Sequence, residues 1–559
     1  MRLDAALISL VALAWLPANH YYPWASAWQE GLALLFLGAG LALWSRGSRL
    51  PVAWAAFVAL ALVSVAAQLL FAQISFGGDA WIVALYLIGI ALALMAGDGL
   101  VVAEQGTQAS RRLELLCLAL LLAAVVSAGI GFAQWAGVQR LGIFGADLKP
   151  GARPFANFGQ PNHWCTASLI GLGSAWVLFE ARRLGGLTFG LVAAVLLLAM
   201  VASGSRTAWL QLGFGFLLLL FLRRQARLRL PLGAALAALA AVALAWVLWP
   251  WLNTSADPGT TRSVVEQAQA GVRLPLWQAM LGAIAERPWA GYGWNQMVLA
   301  QQAVALDGPP LHHHFEHAHN LLLDLLIWAG VPVGLTLAGL AGWALLRTLA
   351  GTHDPRAAGL LLAAGGVLAH AMVEFPVEYA YFMLPMGLML GAAHRLSSMP
   401  QRSLALPAVG MRAAGVAMLV ALALTGLDYL EAEQNHRMLR LESARIGTTH
   451  VESPPPQLRV LTQLEAFLTF ARQQPKAGAS AEEMQAVHRV AARFAYPPTQ
   501  YRLAQWQALN GDAAGAERTL QLLCAMHPPA HCRDVIQGWT ALQAQQPALR
   551  PVPAPPLPR

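Results

Sequence analysis

The sequence predicts an all-α polytopic membrane protein with about thirteen transmembrane helices and a C-terminal soluble α-helical domain of tetratricopeptide-like pattern. Three observations carry that reading. Of the 559 residues, 57% are hydrophobic and only 11% charged, more apolar surface than a globular core can hide. Apolar runs long enough to span hydrocarbon recur as far as about residue 430, separated by short segments of arginine, glycine and proline. The arginines themselves fall in every second gap.

In chain order, residues 1–250 read as an N-terminal bundle of about nine spans and 251–316 as a large polar loop with one amphiphilic segment. Residues 317–430 return to the membrane for about four spans, 431–545 form the soluble domain, and the Pro-rich 546–559 are expected to be disordered. The first apolar run, Ala5 to Leu16, leads into a Pro-rich loop without a small-residue cleavage site and is expected to be a retained helix.

Arg46 and Arg49, Arg111 and Arg112, Arg182 and Arg183, Arg223 to Arg229, Arg347 and Arg356, and Arg395 to Arg412 mark one face. By the positive-inside rule that face is cytoplasmic in a bacterial inner membrane. The segments 20–30, 73–79, 140–162, 203–206, 251–316, 374–381 and everything after about 430 are then periplasmic. The net charge of +8 thus speaks for membrane orientation, and no nucleic-acid partner is expected.

In the tail, the pair Tyr501–Asn510 and Ala513–Met526, joined at Gly511-Asp512, has the small-residue pattern of a tetratricopeptide hairpin. Cys117 and Cys165 fit as small apolar packers, whereas Cys524 and Cys532 lie in the segment assigned to an oxidising compartment. A disulfide between them and two free thiols are the alternatives.

Polar residues concentrate in four places and a weaker fifth, all in the gaps this scheme assigns to the outer face. The run Arg153 to His163 offers Asn157, Gln160, Asn162 and His163, neutral donors and acceptors suited to sugar hydroxyls or to backbone groups of a broken helix; Asn162 as a helix N-cap is the plain alternative. Arg206, in Ser203-Gly-Ser-Arg-Thr207, stands between two apolar runs, where a guanidinium fork would suit a lipid pyrophosphate or snorkel to headgroups. Arg273 is the second such candidate. Five histidines and Glu316 fill positions 312–319, but His317-Ala-His319 lacks the i, i+4 face of a helical zinc site, so no metal or other cofactor is expected. One of these histidines, with Asn320 fixing it or the substrate, would act on an incoming hydroxyl; a polar helix N-terminus is the alternative. Glu374, Glu378 and Tyr381 form the fourth group, with His20 and Glu30 a weaker fifth.

Together Asn157-Phe-Gly-Gln-Pro-Asn-His163, Ser205-Arg-Thr207, Pro288-Trp-Ala-Gly-Tyr-Gly-Trp294, His317-Ala-His-Asn320 and Glu374 to Tyr381 resemble the PglL-like protein O-oligosaccharyltransferases, a branch of the O-antigen ligase and polymerase superfamily. The resemblance implies a metal-independent, GT-C-like membrane glycosyltransferase. Its donor would be an undecaprenyl-pyrophosphate-linked oligosaccharide and its acceptor a Ser or Thr of a periplasmic, pilin-like protein. It also implies catalytic roles for His319, Arg206 and Arg273, and substrate contacts from Asn157, Gln160, Asn162, His163, His317, Asn320, Glu374, Glu378, Tyr381 and Trp294. Glu378 stands where a nonacidic residue is expected, leaving the choice between Glu374 and Glu378 open. The competing functions are an O-antigen ligase acting on lipid A core, a glycan polymerase, and a lipid-linked-sugar flippase. A flippase would place charge near the bilayer midplane rather than at one face.

Overall fold

The computed structural model describes residues 3–101, 109–138, 141–149, 152–252, 271, 273–399, 401–444 and 454–556. Segment 253–270 of the expected loop 251–316 lies outside the described residues. Seven of the described helices have the length and composition of a membrane span, among them Gly77–Val101, Arg111–Trp135 and Ala408–Ser443. Leu3–Trp15, Ala27–Ala42, Gly186–Ala202 and Arg356–Ala371 are apolar but shorter. The chain is a multi-pass membrane protein. Hydropathy alone does not say where a helix stops, and the 16 residues of Ala27–Ala42 reach only about 24 Å.

Two compact units divide the chain: 1–59, 85–269 and 339–423 in the first, 60–84, 270–338 and 424–559 in the second. In the first, helix Pro161–Glu180 packs against Ala109–Trp135, Gly186–Ala202 and Arg356–Ala371. Gly173 and Gly359 lie so close where two of these helices cross that a Cβ on either would strike the other's carbonyl. Small residues allow such contact where lipid supplies no hydrophobic drive between helices.

The arginine-bearing gaps of this unit meet one another. Ser48–Pro51 pairs antiparallel with Ser403–Leu406, Thr352 bridges Ser397, and Arg183 pairs with Glu114 at 2.8 Å. The alternate gaps meet too: His20 Nε2 lies 3.0 Å from the Asn157 carbonyl, Arg153 reaches Gly204, and Asn162 reaches Glu374. Sequence alternation thus corresponds to two faces.

In the second unit, helix Leu321–Ala350 is broken at Gly330 (φ 77°, ψ 166°), just before Pro332. A break within an apolar helix needs partners for the freed backbone groups. Tyr292 and Gly293 donate to the Ile327 and Trp328 carbonyls (2.7 and 3.1 Å), Val331 donates to Pro288 (2.7 Å), and the Gln68 amide adds a bond to Trp328 (2.8 Å). A Cβ on Gly291 would collide with the Ile327 carbonyl and one on Gly330 with that of Trp289, so glycine is required at both.

Beyond helix Ala408–Ser443 come Thr462–Arg472, Ala481–Arg493, Pro497–Leu509, Ala513–Met526 and Pro529–Gln545. Ser480 and Glu483 form a capping box, and Asp512 caps the helix after the Gly511 turn. Ala504, Ala508, Ala516 and Leu520 share a core with Trp539. Cys524 and Cys532 are joined by a disulfide. The Pro-rich tail departs from expectation over its described residues: Leu549 and Val552 are fully buried, and the Val552 carbonyl accepts from the Trp539 indole at 3.2 Å. These two side chains find an apolar seat that composition does not reveal.

Candidate active site

The first unit builds one polar cluster. Gln160, at φ −139°, is the N-cap of helix Pro161–Glu180, with Pro161 opening the helix. Asn162 is therefore not the cap, and its amide donates to Glu374 Oε1 at 3.0 Å. Glu374 is 7% exposed, and the bond joins it to the Asn157–His163 segment; Glu378 lies on the neighbouring 3-10 turn. His163 is buried in an aromatic cage, edge-on to Tyr379 (4.7 Å) and Phe382 (5.3 Å), with Nδ1 3.2 Å from the Tyr381 hydroxyl. Below it, Thr166 Oγ1 lies 2.7 Å from His370 Nδ1 and accepts from Gln211 at 2.9 Å.

Asn157, expected to contact substrate, is held by the chain's own backbone. It is fully buried, its amide donating to the Leu16 and Phe144 carbonyls (2.6 and 3.0 Å) and its oxygen accepting from Ala146 (3.0 Å). Its hydrogen bonds serve the chain's own loops. His163 and Tyr381 are likewise buried, at 1% and 2% exposure.

Arg206 is the N-cap of helix Thr207–Gln225. The turn before it is held by Arg153, whose Nη1 donates to the carbonyls of Gly204 (2.8 Å) and Ser203 (3.3 Å). A guanidinium and the positive end of a helix together favour an anion there.

The second unit gathers the other candidates. Helix Arg273–Glu286 carries Arg273 and, one turn on along the same face, Trp277. The Trp277 indole donates to the Ala318 carbonyl at 2.9 Å, and the Ala318 amide donates to Asp324 Oδ1 at 2.8 Å. The residue between His317 and His319 is thus pinned on both sides and fully buried. His319 has φ 53° and lies edge-on to Phe315 at 5.7 Å. Burial lowers the His317 pKa to about 4 against the opposing pull of Glu316, so its ring is neutral at pH 7.

Asn320 caps helix Leu321–Ala350, its Oδ1 accepting from the amides of Leu322 and Leu323 (3.0 and 3.1 Å). The plain alternative thus holds for that oxygen. Trp294 is buried against Trp328, its indole bonded to Ser64.

Sequence reasoning missed the glutamines that organise these loops. Gln134 takes the amides of Phe155 and Ala156 (3.1 and 2.8 Å) and donates to the carbonyls of Ala146 and Ala156 (2.9 and 2.7 Å). A buried polar residue within an apolar helix was the available signal.

Apolar helices hold buried polar loops in each unit, with an arginine at a helix start in the first and a pinned histidine segment in the second. Residues 191–338 match the family described as O-Antigen ligase, and 359–541 match Virulence factor membrane-bound polymerase, C-terminal. The chain is 30% identical over 530 residues, 93% of its length and 91% of the relative's, to the General O-oligosaccharyltransferase of Acinetobacter baylyi. It is 26% identical over 262 residues, 45% of its length and 46% of the relative's, to the ComP-specific O-oligosaccharyltransferase of the same organism. The chain belongs to the PglL-like O-oligosaccharyltransferases of the O-antigen ligase superfamily, and it is a glycosyltransferase.

Proposed function

We propose that the protein transfers an oligosaccharide en bloc from undecaprenyl pyrophosphate to a Ser or Thr hydroxyl of a periplasmic, pilin-like protein, without metal and with inversion. The observation that carries this reading is the near full-length identity to a General O-oligosaccharyltransferase. The protein sits in the bacterial inner membrane with the polar gaps and the C-terminal domain on the periplasmic side, as the arginine alternation supports.

The acceptor oxygen attacks the anomeric carbon from the face opposite the pyrophosphate, and its proton passes to His319. The bond from the anomeric carbon to the pyrophosphate oxygen breaks, and undecaprenyl pyrophosphate leaves with the electron pair. Arg206 and Arg273 neutralise the charge growing on it. Gln160 and Asn162, with Glu374 and Glu378 behind them, bind sugar hydroxyls; His317 and Asn320 set the place of His319.

Purified protein in nanodiscs, given undecaprenyl-pyrophosphate oligosaccharide and a pilin-like acceptor, should glycosylate a serine or threonine, and His319→Ala should abolish transfer. Wild-type rates in His319→Ala would overturn the catalytic assignment. Modification of lipid A core alone would establish the ligase instead.

A further inference from the structure

We infer that Arg493, in the C-terminal domain, is a positioning residue for transfer: it acts through Glu316 to set the loop that carries His317 and His319. The inference rests on the role given to His319 above. Arg493 ends helix Ala481–Arg493 and grips Asp79 with two nitrogens, Nε at 3.1 and 3.2 Å and Nη2 at 3.0 Å. Asp79 is 2% exposed and Arg493 15%. An ion pair so far out of water adds little net stability over an apolar contact, while fixing geometry strongly. Each partner also sits where its helix dipole favours it, Asp79 in the first turn of Gly77–Val101 and Arg493 in the last of its own helix.

The same guanidinium attracts Glu316, three positions before His319. Glu316 Oε1 accepts from the hydroxyl of Tyr496, three positions after Arg493, at 3.0 Å. The histidines preceding Glu316 are fastened to the same domain. His314 stacks on His527 at 5.7 Å, nearly parallel, and packs on Tyr496 at 5.4 Å. The His312 amide donates to the Ala525 carbonyl at 2.9 Å, and its Nδ1 lies 3.1 Å from that of Cys524. The loop therefore runs from anchors on the C-terminal domain, residues 312–316, to the anchors on Ala318 supplied by Trp277 and Asp324.

Charge follows the geometry. Burial holds His317 and His314 below the ordinary imidazole value; the positive charge of Arg493 adds to that, and Glu316 opposes it. The other titratable or charged groups facing this stretch are Asp79, Asp324, His313, His319, Tyr496 and His527. Removing Arg493 makes protonation of His317 and His314 easier, and removing the Glu316 charge makes it harder.

The test uses the full chain in nanodiscs with undecaprenyl-pyrophosphate oligosaccharide and a pilin-like acceptor, and reads transfer rate against pH. Arg493→Gln should lose about 10- to 100-fold in rate through a misplaced loop. Its acidic limb should move to higher pH, and Arg493→Lys should recover part of both. Glu316→Gln, at an exposed carboxylate, should move the acidic limb to lower pH. Opposite displacements by the two variants are the expected signature, because a merely structural contact would lower the rate without moving the profile. An unchanged rate, or a lowered rate with an unmoved profile, overturns the inference. If Arg493→Gln does not fold, the Glu316→Gln profile decides alone: a limb displaced to lower pH supports the inference and an unmoved one overturns it. Wild-type transfer by His319→Ala, run alongside, would instead remove the reading beneath it.

Discussion

Replacing Trp277 with phenylalanine keeps the aromatic surface and deletes one hydrogen bond, the 2.9 Å contact from the indole to the Ala318 carbonyl. Ala318 is fully buried, so that carbonyl would lose its partner away from water, a cost of about 1–3 kcal/mol. At 1.4 kcal/mol per factor of ten, a mid-range cost of about 2 kcal/mol shifts the loop away from its set geometry by about 30-fold. The Asp324 bond to the Ala318 amide holds the other side, so the loop slackens without the fold opening. Transfer by Trp277→Phe should therefore fall by up to about 30-fold at saturating donor, with little change in melting temperature. The assay is a gel shift of the acceptor under single-turnover conditions, with thermal melts of both proteins. A rate within about twofold of wild type would refute the argument that the pinned Ala318 sets the neighbouring histidines.

Arg206→Lys keeps the charge but not the bidentate fork, and should lose at least about 100-fold in transfer at unchanged expression. Asn162→Ala breaks the 3.0 Å bond to Glu374 and should raise the donor KM by about tenfold, measured by donor titration. Burial lowers His527 and His317 to about 4 in the folded protein, while the unfolded chain has the ordinary histidine value near about 6.5. The unfolded state then binds more protons across that interval, so stability is lost as pH falls from about 6.5 toward about 4. Melting temperatures over that range should drop, and His527→Gln should flatten the slope; an unchanged slope counts against the assignment.

That the arginine-bearing gaps lie near one another was legible in their alternation, because a guanidinium is costly in hydrocarbon and is kept out of the spans. The polarity of the Asn157–His163 run was legible as well, but not its direction. An amide that binds its own backbone, as Asn157 does, has the same sequence signature as one that binds sugar. The break at Gly330 was hidden because Leu321 to Val331 reads as one apolar run, and its partners lie at Pro288 to Gly293 and Gln68. The Asp79 pair with Arg493 spans 414 positions, beyond any local pattern. Proline content suggested a disordered tail, yet Leu549 and Val552 outweigh it by finding an apolar seat beside Trp539.

The break in helix Leu321–Ala350 also bears on how the chain is built and how it can vary. Residues 331–350 alone give about 30 Å of helix, enough to cross the hydrocarbon, whereas 321–329 give only about 13 Å. Membrane insertion can therefore be driven by the later portion alone, leaving the stretch from His317 to Ala329 to settle against Pro288 to Gly293 afterwards. Because these partners come earlier in the chain, they are already synthesised when that stretch emerges from the ribosome. Insertions or deletions before Gly330 would leave the count of crossings intact, so the lineage can lengthen or reshape the histidine loop without turning the rest of the protein inside out.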